Sequence, residues 1–373
     1  MKIAVNTRFL LKGKLEGIGF FTREVVKRLV EQHPEHEFIF FFDRPFDPSF
    51  IFGKNVTPVV LFPPARHPLL FLWWFEWSVA RELKKRKADV FLSPDNFLSL
   101  RAPTRTILVT HDLAHLHLPG QQSFFQKKYY EILSSRFQRR ADHIVTVSHF
   151  TKKDIVEQYG ISPEKISVAC NGCSGAFGSL SAAERQEVRD RYAGGQPYFL
   201  YVGAIHPRKN VHRLIRAFSA FKKATGAPVL LLIAGRFAWK AGGVKSAFER
   251  SAFQEDIRFL GYIPDSELPK LMAGAFALTY VSLFEGFGIP ILEAMYSDVP
   301  VVTSNLSSMP EVAGDAALLV NPYSEKEIAQ AMQQLWDNVH LRKRLIATGR
   351  EQRKKFTWQK ATDVVYTALA DGR

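Results

Sequence analysis

The sequence predicts an α/β protein with two domains, each built around a doubly wound parallel sheet. Its 373 residues exceed the length that one hydrophobic core ordinarily supports. Buried-type strands alternate with helical segments along the first half of the chain, which is typical of a parallel sheet covered on both faces. A polar stretch over residues 179–195 interrupts this alternation, which then starts again. Two Rossmann-like domains are therefore expected.

The first predicted domain covers residues 1–178. Short apolar runs mark its strands, and apolar residues spaced three to four apart mark its helices. The predicted strands are Ile3–Val5, Glu37–Phe42, Thr57–Leu61, Asp89–Leu92, Thr106–Thr110 and His143–Val147. The predicted helices are Thr22–Gln32, Trp73–Lys87 and Phe124–Arg140. Ligands of such a sheet bind at the carboxyl ends of its strands.

The second predicted domain covers residues 179–354. Its predicted strands are Tyr198–Val202, Val229–Ala234, Ile257–Leu260, Ala275–Thr279, Pro300–Thr303 and Ala317–Val320. Its predicted helices are Val211–Thr225, Asp265–Ala273, Pro290–Ser297 and Glu325–Trp336. Residues 355–373 are predicted to form a terminal helix that packs back towards the first domain. Two sheets that face each other would form one cleft between their strand ends.

The chain is strongly basic, with a formal net charge of +14 and an isoelectric point near 9.7. Neither zinc-finger spacing nor an RNP-like aromatic motif occurs, so nucleic acid is not an expected partner. Phosphorylated small molecules, an anionic membrane and a solvated basic surface all remain open as explanations of the charge. The most apolar segment, Pro68–Phe75, is too short to span a membrane.

The only two cysteines, Cys170 and Cys173, form a Cys-x-x-Cys sequence after the strand-like segment Lys165–Ala169. Redox chemistry at this spacing depends on a helix N-terminus that lowers the thiol pKa. Asn171 and Gly172 instead predict a turn, so a structural role is favoured over a redox role. Two cysteines build no disulfide framework, which favours a reducing, cytoplasmic location.

The strongest local signal is the segment Ser282–Glu293, in which a strand ends in a glycine-bearing loop before a helix. Glycines let the backbone approach a ligand closely, and amides at a helix N-terminus stabilise anions. The residues expected to do so are Gly286, Phe287, Gly288 and Ile289. Glu285 precedes the loop and would hold a sugar, while Glu293, in the first turn of the helix, would hold a ribose. A capping glutamate in an ordinary turn is the alternative.

A second loop, Tyr201–Asn210, follows a strand of the same domain. Gly203 opens the loop, and Arg208 and Lys209 supply cations for phosphate, which arginine can bind through two parallel hydrogen bonds. The alternative is a solvated basic loop, since lysine and arginine are normally exposed.

These two loops resemble those of the retaining glycosyltransferases of family 4, which have the GT-B fold. Glu285 and Glu293 match the acidic E-x7-E motif of that family, and the loop 201–210 resembles the loop that holds the donor diphosphate. Many relatives place an arginine where this chain has Ala204, so we expect Arg208 to supply the missing charge beside Lys209. The resemblance covers almost the whole chain.

The amino-terminal half supports the same resemblance. Gly17 and Gly19 match the family's glycine-rich loop and are assigned to donor binding. His111 closes a strand where the family carries a histidine, although a lone histidine in such a place is more often structural. Asp112 and Asn171 are assigned to the acceptor side.

The resemblance implies a retaining transferase that moves a hexosyl group, with mannosyl favoured, from a nucleotide diphosphate sugar to a glycan, lipid-linked or small acceptor. His111, Lys209 and Glu285 are the expected catalytic residues, and no metal or other cofactor is expected. Two alternatives stay open, namely a GT-B sugar-nucleotide epimerase and a nucleotide-sugar binding module without catalysis.

A contact with an anionic membrane is a separate expectation for the first domain. Trp73, Trp74 and Trp77 precede a run of basic residues on one predicted helix, a combination that interfacial helices use. The alternative is that these tryptophans pack in the core and that the basic residues form the solvated face of the helix.

Overall fold

The computed structural model of the chain describes residues 1–13, 15–65, 67–118, 124–237 and 242–371. The contacts divide it into two compact units. The first unit comprises Met1–Asn171 with Thr357–Arg373, and the second comprises Gly172–Phe356. The sequence pattern had placed these divisions at 178/179 and 354/355.

In the described part of the chain, the first unit contains a parallel sheet of seven strands. The strands are β1 (Lys2–Asn6), β2 (Glu37–Phe42), β3 (Val56–Val60), β4 (Val90–Ser93), β5 (Arg105–Thr110), β6 (His143–Thr146) and β7 (Ile166–Val168). Their order across the sheet is β3-β2-β1-β4-β5-β6-β7. The chain therefore builds outward from β1 in one direction and then restarts at β4 on its other side. Loops that diverge between β1 and β4 leave a binding position at that switch point.

Seven α-helices are described in the first unit: α1 (Gly17–Gln32), α2 (Pro68–Trp73), α3 (Ala80–Arg86), α4 (Ala114–His117), α5 (Phe124–Arg140), α6 (His149–Tyr159) and the terminal α15 (Trp358–Ala370). A π-helical turn, Trp74–Val79, joins α2 to α3. The prediction that the first helix begins at Thr22 is wrong, because the glycines before it are helical despite their low intrinsic propensity. α15 packs on α1, where Gln32 and Gln359 exchange hydrogen bonds.

The second unit contains a parallel sheet of six described strands. They are β8 (Tyr198–Val202), β9 (Leu230–Ala234), β10 (Ile257–Gly261), β11 (Ala277–Tyr280), β12 (Val301–Ser304) and β13 (Ala317–Val320). Their order is β10-β9-β8-β11-β12-β13, so the switch point lies between β8 and β11. The predicted class, two doubly wound parallel sheets, is confirmed.

The described helices of the second unit are α7 (Ala182–Ala193), α8 (Val211–Thr225), α9 (Gly242–Glu249), α10 (Leu268–Gly274), α11 (Ile289–Tyr296), α12 (Met309–Ala313), α13 (Glu325–Asp337) and α14 (Val339–Gln352). The strands β9 and β11 are buried along their whole length, as expected of a sheet that helices cover on both faces. No helix in the described ranges combines the length and apolar character that a membrane span requires.

Candidate active site

The loop after β8 carries the predicted phosphate-binding cations, and glycines fix its path. Gly203 has φ +140°, and a side chain at the neighbouring Gly235, which follows β9, would place its Cβ 1.9 Å from the Gly203 carbonyl oxygen. Only glycine at position 235 permits this approach of two backbones. At the other end of the loop, the buried Asn210 donates from Nδ2 to the carbonyls of Val281 and Pro322. The loop is therefore held against the segment that follows β11.

Lys209, Arg208 and Glu285 meet at the switch point of the second unit. Lys209 Nζ lies 2.6 Å from Glu285 Oε1, and Arg208 Nη1 lies 2.8 Å from Glu285 Oε2. Lys209 also donates to the hydroxyl of Tyr280 at 2.8 Å, and Arg208 donates to the Phe284 carbonyl at 2.7 Å. The structure thus brings together three residues that the sequence assigned to one site. The side chains of Arg208 and Lys209 each contact Glu285 directly.

The Glu285 carboxylate stays ionised in this cluster. Burial by itself would raise its pKa, but the charges of Arg208 and Lys209 outweigh burial and lower the pKa of Glu285 to about 2. Two cations against one carboxylate leave the cluster with a net positive charge. Such a cluster can attract a diphosphate while the carboxylate accepts hydrogen bonds from sugar hydroxyls.

The glycine-bearing loop after Glu285 is held by two serines that the sequence analysis did not single out. Ser307 Oγ accepts a hydrogen bond from the Glu285 amide, and Ser308 Oγ donates to the Glu285 and Phe287 carbonyls. Gly288, with φ +102°, is the N-cap of α11. The amides of Phe287, Gly288 and Ile289 have no hydrogen-bond partner among the described residues, as an anion site at a helix N-terminus requires.

Glu293 lies further along α11 than the sequence predicts. The left-handed backbone at Gly288 lets the helix begin at Ile289, so Glu293 is its fifth residue and belongs to the second turn rather than the first. Burial, with a smaller contribution from Asp265, raises the pKa of Glu293 to about 8. Burial and the charge of Asp265 are the causes of this shift, and no hydrogen bond from a described residue contributes to it. A carboxyl group in this state is available to a ligand hydroxyl pair.

The switch point of the first unit holds a buried ion pair that the sequence analysis missed. Arg8, which follows β1, donates from Nε to Asp95, which follows β4. Asp95 also accepts from Asn6 Nδ2 at 2.8 Å and from Ser93 Oγ at 3.3 Å. The signal was available, since each charged residue lies two residues after the end of a buried strand, but using it required knowing that β1 and β4 are neighbours.

Aromatic rings surround the Arg8 guanidinium. Its Cζ lies 4.5–4.9 Å from the ring centroids of Phe9, Phe71 and Phe97. The terminal amino groups of Arg8 have no hydrogen-bond acceptor among the described residues, although the side chain is only 9% exposed. A buried guanidinium with unused donors is costly unless a ligand or water supplies acceptors.

His111 is buried and neutral in this arrangement. Its Nε2 donates to the Pro94 carbonyl at 2.8 Å, and its amide donates to Asn96 Oδ1. Burial lowers the pKa of the imidazole, which keeps the ring neutral. Because Nε2 carries the proton that it donates to the Pro94 carbonyl, Nδ1 is the nitrogen that keeps a lone pair. The ring meets Phe21 edge-on at a centroid distance of 5.2 Å. His111 is thus fixed in one tautomer and can accept, rather than donate, a proton at Nδ1.

Gly17, Gly19, Asp112 and Asn171, the remaining predicted residues of the first unit, differ in their surroundings. Gly17 begins α1, and a Cβ on Gly19 would lie 2.9 Å from the Phe9 carbonyl oxygen, so Gly19 permits a close approach of backbones. Asp112 accepts a hydrogen bond from the Ala114 amide at the start of α4. Asn171 Oδ1 is buried and has no hydrogen-bond partner among the described residues. Their assignment to donor or acceptor binding stays a prediction.

Cys170 and Cys173 form no disulfide with each other, and the sequence expectation of a strand that ends before a turn agrees with β7. Burial raises the pKa of the Cys173 thiol far above its ordinary value. A thiol in that state is a poor nucleophile, which agrees with a structural role.

Comparisons with known proteins agree with this geometry. A family model described as "Glycosyltransferase Family 4" matches residues 15–174, and one described as "Glycosyl transferases group 1" matches residues 184–352. The chain is 31% identical to O-antigen chain mannosyltransferase B of Escherichia coli, over 97% of each chain. It is also 31% identical to O-antigen chain mannosyltransferase RfbU of Salmonella typhimurium, over 72% of this chain and 71% of that one.

Solved structures show the same fold. A glycosyltransferase from Rickettsia africae superposes with a TM-score of 0.75 at 19% identity, over 100% of this chain and 99% of that one. Anabaena Alr3699/HepE, solved in complex with UDP and glucose, superposes with a TM-score of 0.78 at 18% identity over the whole of both chains.

Proposed function

Because the chain belongs to glycosyltransferase family 4, we propose that it transfers a mannosyl group from a nucleoside-diphosphate sugar to a carbohydrate or lipid-linked acceptor, with retention of the anomeric configuration. The observation that carries this proposal is the Lys209–Glu285–Arg208 cluster at the N-terminus of α11. The names of two relatives that are 31% identical, both mannosyltransferases, support the choice of sugar.

The donor occupies the switch point of the second unit in this proposal. Its diphosphate contacts Lys209, Arg208 and the unused amides of residues 287–289, while Glu285 accepts hydrogen bonds from the sugar hydroxyls. Glu293 holds the ribose. Negative charge grows on the diphosphate as the bond to the sugar breaks, and preorganised positive groups at that place are the largest available contribution to catalysis. The cations allow the reaction to proceed without a metal.

The chemical step is a substitution on one face of the sugar. The bond between the anomeric carbon and the diphosphate oxygen breaks, and the acceptor oxygen bonds to that carbon from the same side. The departing diphosphate oxygen takes the proton of the acceptor hydroxyl, so that a nucleoside diphosphate and the glycosylated acceptor are formed. A double displacement would need a carboxylate nucleophile. Glu285 is already held by two cations, which suits binding better than attack on carbon.

The acceptor occupies the switch point of the first unit in this proposal. The unused terminal donors of Arg8 bind acceptor hydroxyls, and His111 Nδ1 accepts a hydrogen bond from the acceptor or the sugar. Arg8 is balanced by Asp95, and Asp112 adds a negative charge nearby, so the position suits uncharged hydroxyl groups better than an anion.

The purified protein tests this function directly against a panel of GDP-, UDP- and ADP-linked sugars without an acceptor. We expect slow release of one nucleoside diphosphate, fastest from a mannosyl donor, and faster release when methyl α-mannoside is added as an acceptor. The anomeric configuration of the product, read by nuclear magnetic resonance, tests retention separately. Failure to bind or cleave any member of the panel would contradict the proposal.

A further inference from the structure

The helical segment from α2 through the π-helical turn to α3 has one face in the core and one face outside it. Phe71, Trp74, Phe75, Val79 and Leu83 are buried in the core of the first unit. Leu70, Trp73 and Trp77 are exposed. The expectation that all three tryptophans pack in the core is therefore correct for Trp74 alone. About half of each of these two rings is therefore accessible on the outer face of a helix whose inner face is already filled.

The exposed apolar side chains form one surface. Trp73 is 55% exposed and Trp77 is 46% exposed, and their rings stack at a centroid distance of 5.3 Å. Phe62 is 82% exposed, and its carbonyl accepts a hydrogen bond from Ser78, the residue after Trp77. Leu70 lies one turn before Trp73 on the same helix face. We call these four residues, Phe62, Leu70, Trp73 and Trp77, the Trp73 surface.

Cations border the Trp73 surface. The Arg101 guanidinium lies 4.7 Å from the Trp77 ring. Arg81 and Lys84 are exposed and follow Trp77 by four and seven residues, which places them on the same helix face. Arg81, Lys84 and Arg101 form no ion pair with a described residue. The acidic residues of the segment are engaged elsewhere, since Glu82 pairs with Arg86 and Glu76 accepts from the Leu100 amide.

We propose that the Trp73 surface and its bordering cations bind the surface of an anionic lipid bilayer. Indole rings favour the interface between the acyl chains and the headgroups, and cations that lack acidic partners complement anionic headgroups. A protein partner would have to match an apolar surface and unpaired cations at once, and the net charge of +14 opposes a second copy of this chain. The binding is peripheral, because the apolar side chains come from one helix face and one loop residue.

Vesicle flotation of the full chain tests this proposal. The probes are phosphatidylcholine vesicles with and without 30% phosphatidylglycerol, at low and at high salt. We expect wild-type protein to float with the anionic vesicles at low salt, to stay unbound with the neutral vesicles, and to dissociate as salt is raised. Because donor cleavage belongs to the second unit, this outcome is independent of the proposed function.

Two double variants separate the apolar and the ionic contributions. Trp73→Ser/Trp77→Ser and Arg81→Glu/Lys84→Glu should each lower the partition onto anionic vesicles at least tenfold, with unchanged circular dichroism and donor cleavage. Lys343→Glu/Arg344→Glu makes the same charge change on exposed residues of α14 and should float like the wild type. If wild-type protein ignores anionic vesicles at low salt, or if the tryptophan variant floats as well as the wild type, the proposal is wrong. Self-association that the tryptophan variant abolishes, without vesicle binding, would assign the surface to a second copy and also overturn it.

Discussion

The two sheets present different charges at corresponding points of their topology. Between β8 and β11, two cations, Lys209 and Arg208, meet the single carboxylate of Glu285. Between β1 and β4, the single cation Arg8 meets Asp95, and this pair is more deeply buried, at 9% and 1% exposed. The first arrangement has a net positive charge, whereas the second is balanced. One fold, built twice in one chain, can therefore offer one position to an anion and the other to uncharged hydroxyls.

The difference also concerns which group is free to bind. In the second unit Arg208 and Lys209 are both paired with the ionised Glu285 carboxylate, which holds them in place. A diphosphate at this position would therefore share the two cations with Glu285. In the first unit Asp95 is saturated by Arg8, Asn6 and Ser93, and the terminal donors of Arg8 are unused. Asp95 thus positions Arg8, which leaves Arg8 as the group that can contact a ligand. Substitutions, calorimetry and pH dependence probe this contrast.

Removal of the Lys209 amine should have the largest effect. Lys209→Ala should lower kcat/KM for transfer by about 10²-fold or more, as loss of one transition-state donor typically does. Lys245→Ala removes a lysine of the same unit that is 77% exposed and should leave the rate unchanged. Steady-state kinetics on both folded variants decides the matter. Wild-type kcat/KM in Lys209→Ala would show that the excess positive charge beside Glu285 does not contribute to transfer.

The two glutamates of the second unit should separate in calorimetry. Glu293→Gln should weaken binding of the free nucleoside diphosphate about tenfold or more, because a hydrogen bond to a charged group is lost. Glu285→Gln should leave that affinity nearly intact and lower turnover of the nucleotide sugar, since the proposed role of Glu285 is to hold the sugar. Equal losses of diphosphate affinity in the two variants would reject this division.

Arg8→Lys should weaken the binding of the acceptor and leave the binding of the nucleotide unchanged. The variant keeps a positive charge beside Asp95 but loses the planar pair of terminal donors, so KM for methyl α-mannoside should rise about tenfold or less. The affinity for the nucleoside diphosphate, measured by calorimetry, should not change. A weaker nucleotide affinity with an unaltered acceptor KM would reverse the assignment of the two switch points.

Nucleotide affinity should rise with pH through the ionisation of Glu293. With a pKa of about 8 in the free protein, its ionised fraction grows from about one quarter at pH 7.5 to about nine tenths at pH 9. If the carboxylate form accepts the ribose hydroxyls, affinity should rise about fourfold over this range and binding should release protons. Calorimetry in buffers of different ionisation enthalpy measures that release, which Glu293→Gln should abolish.

Ionisation of Glu293 should also lower the stability of the fold as pH rises. Its folded pKa of about 8 lies above the ordinary 4.5, so the neutral form stabilises the fold below pH 4.5 and this contribution is lost as pH rises through 8. The melting temperature of the wild type, relative to Glu293→Gln, should therefore fall between pH 6 and pH 9. Asp265 and Cys173 also interact electrostatically with Glu293. Variants of these two residues control for their own contributions to the pH dependence. A constant difference would show that Glu293 does not titrate in this range.

Local sequence pattern predicted much of the fold and part of the site. Buried runs such as Glu37–Phe42 and Tyr198–Val202 read correctly as strands because apolar segments bounded by turn residues have few alternatives. The loops at Lys209 and Glu285 were identified because each follows a strand and carries charged residues. Their direct contact was not predicted, since it depends on β8 and β11 being neighbours.

The remaining errors have two physical causes, which are contacts between segments distant in the sequence and weak local propensity. Arg8 and Asp95 are 87 residues apart and meet only because β1 pairs with β4. The helix α9 was not predicted, because two glycines at its start lower its propensity. Trp73 and Trp77 are four residues apart and lie on the outer face of their helix, and the spacing alone does not distinguish an outer apolar face from an inner one.

Hydrogen–deuterium exchange of the full chain, with and without the nucleoside diphosphate that the donor panel selects, tests the division of substrates most directly. We expect slower exchange in residues 203–210 and 285–293 on nucleotide binding, with residues 6–9 and 94–97 unchanged. Slower exchange in residues 6–9 and 94–97, with no change in the two loops of the second unit, would contradict it.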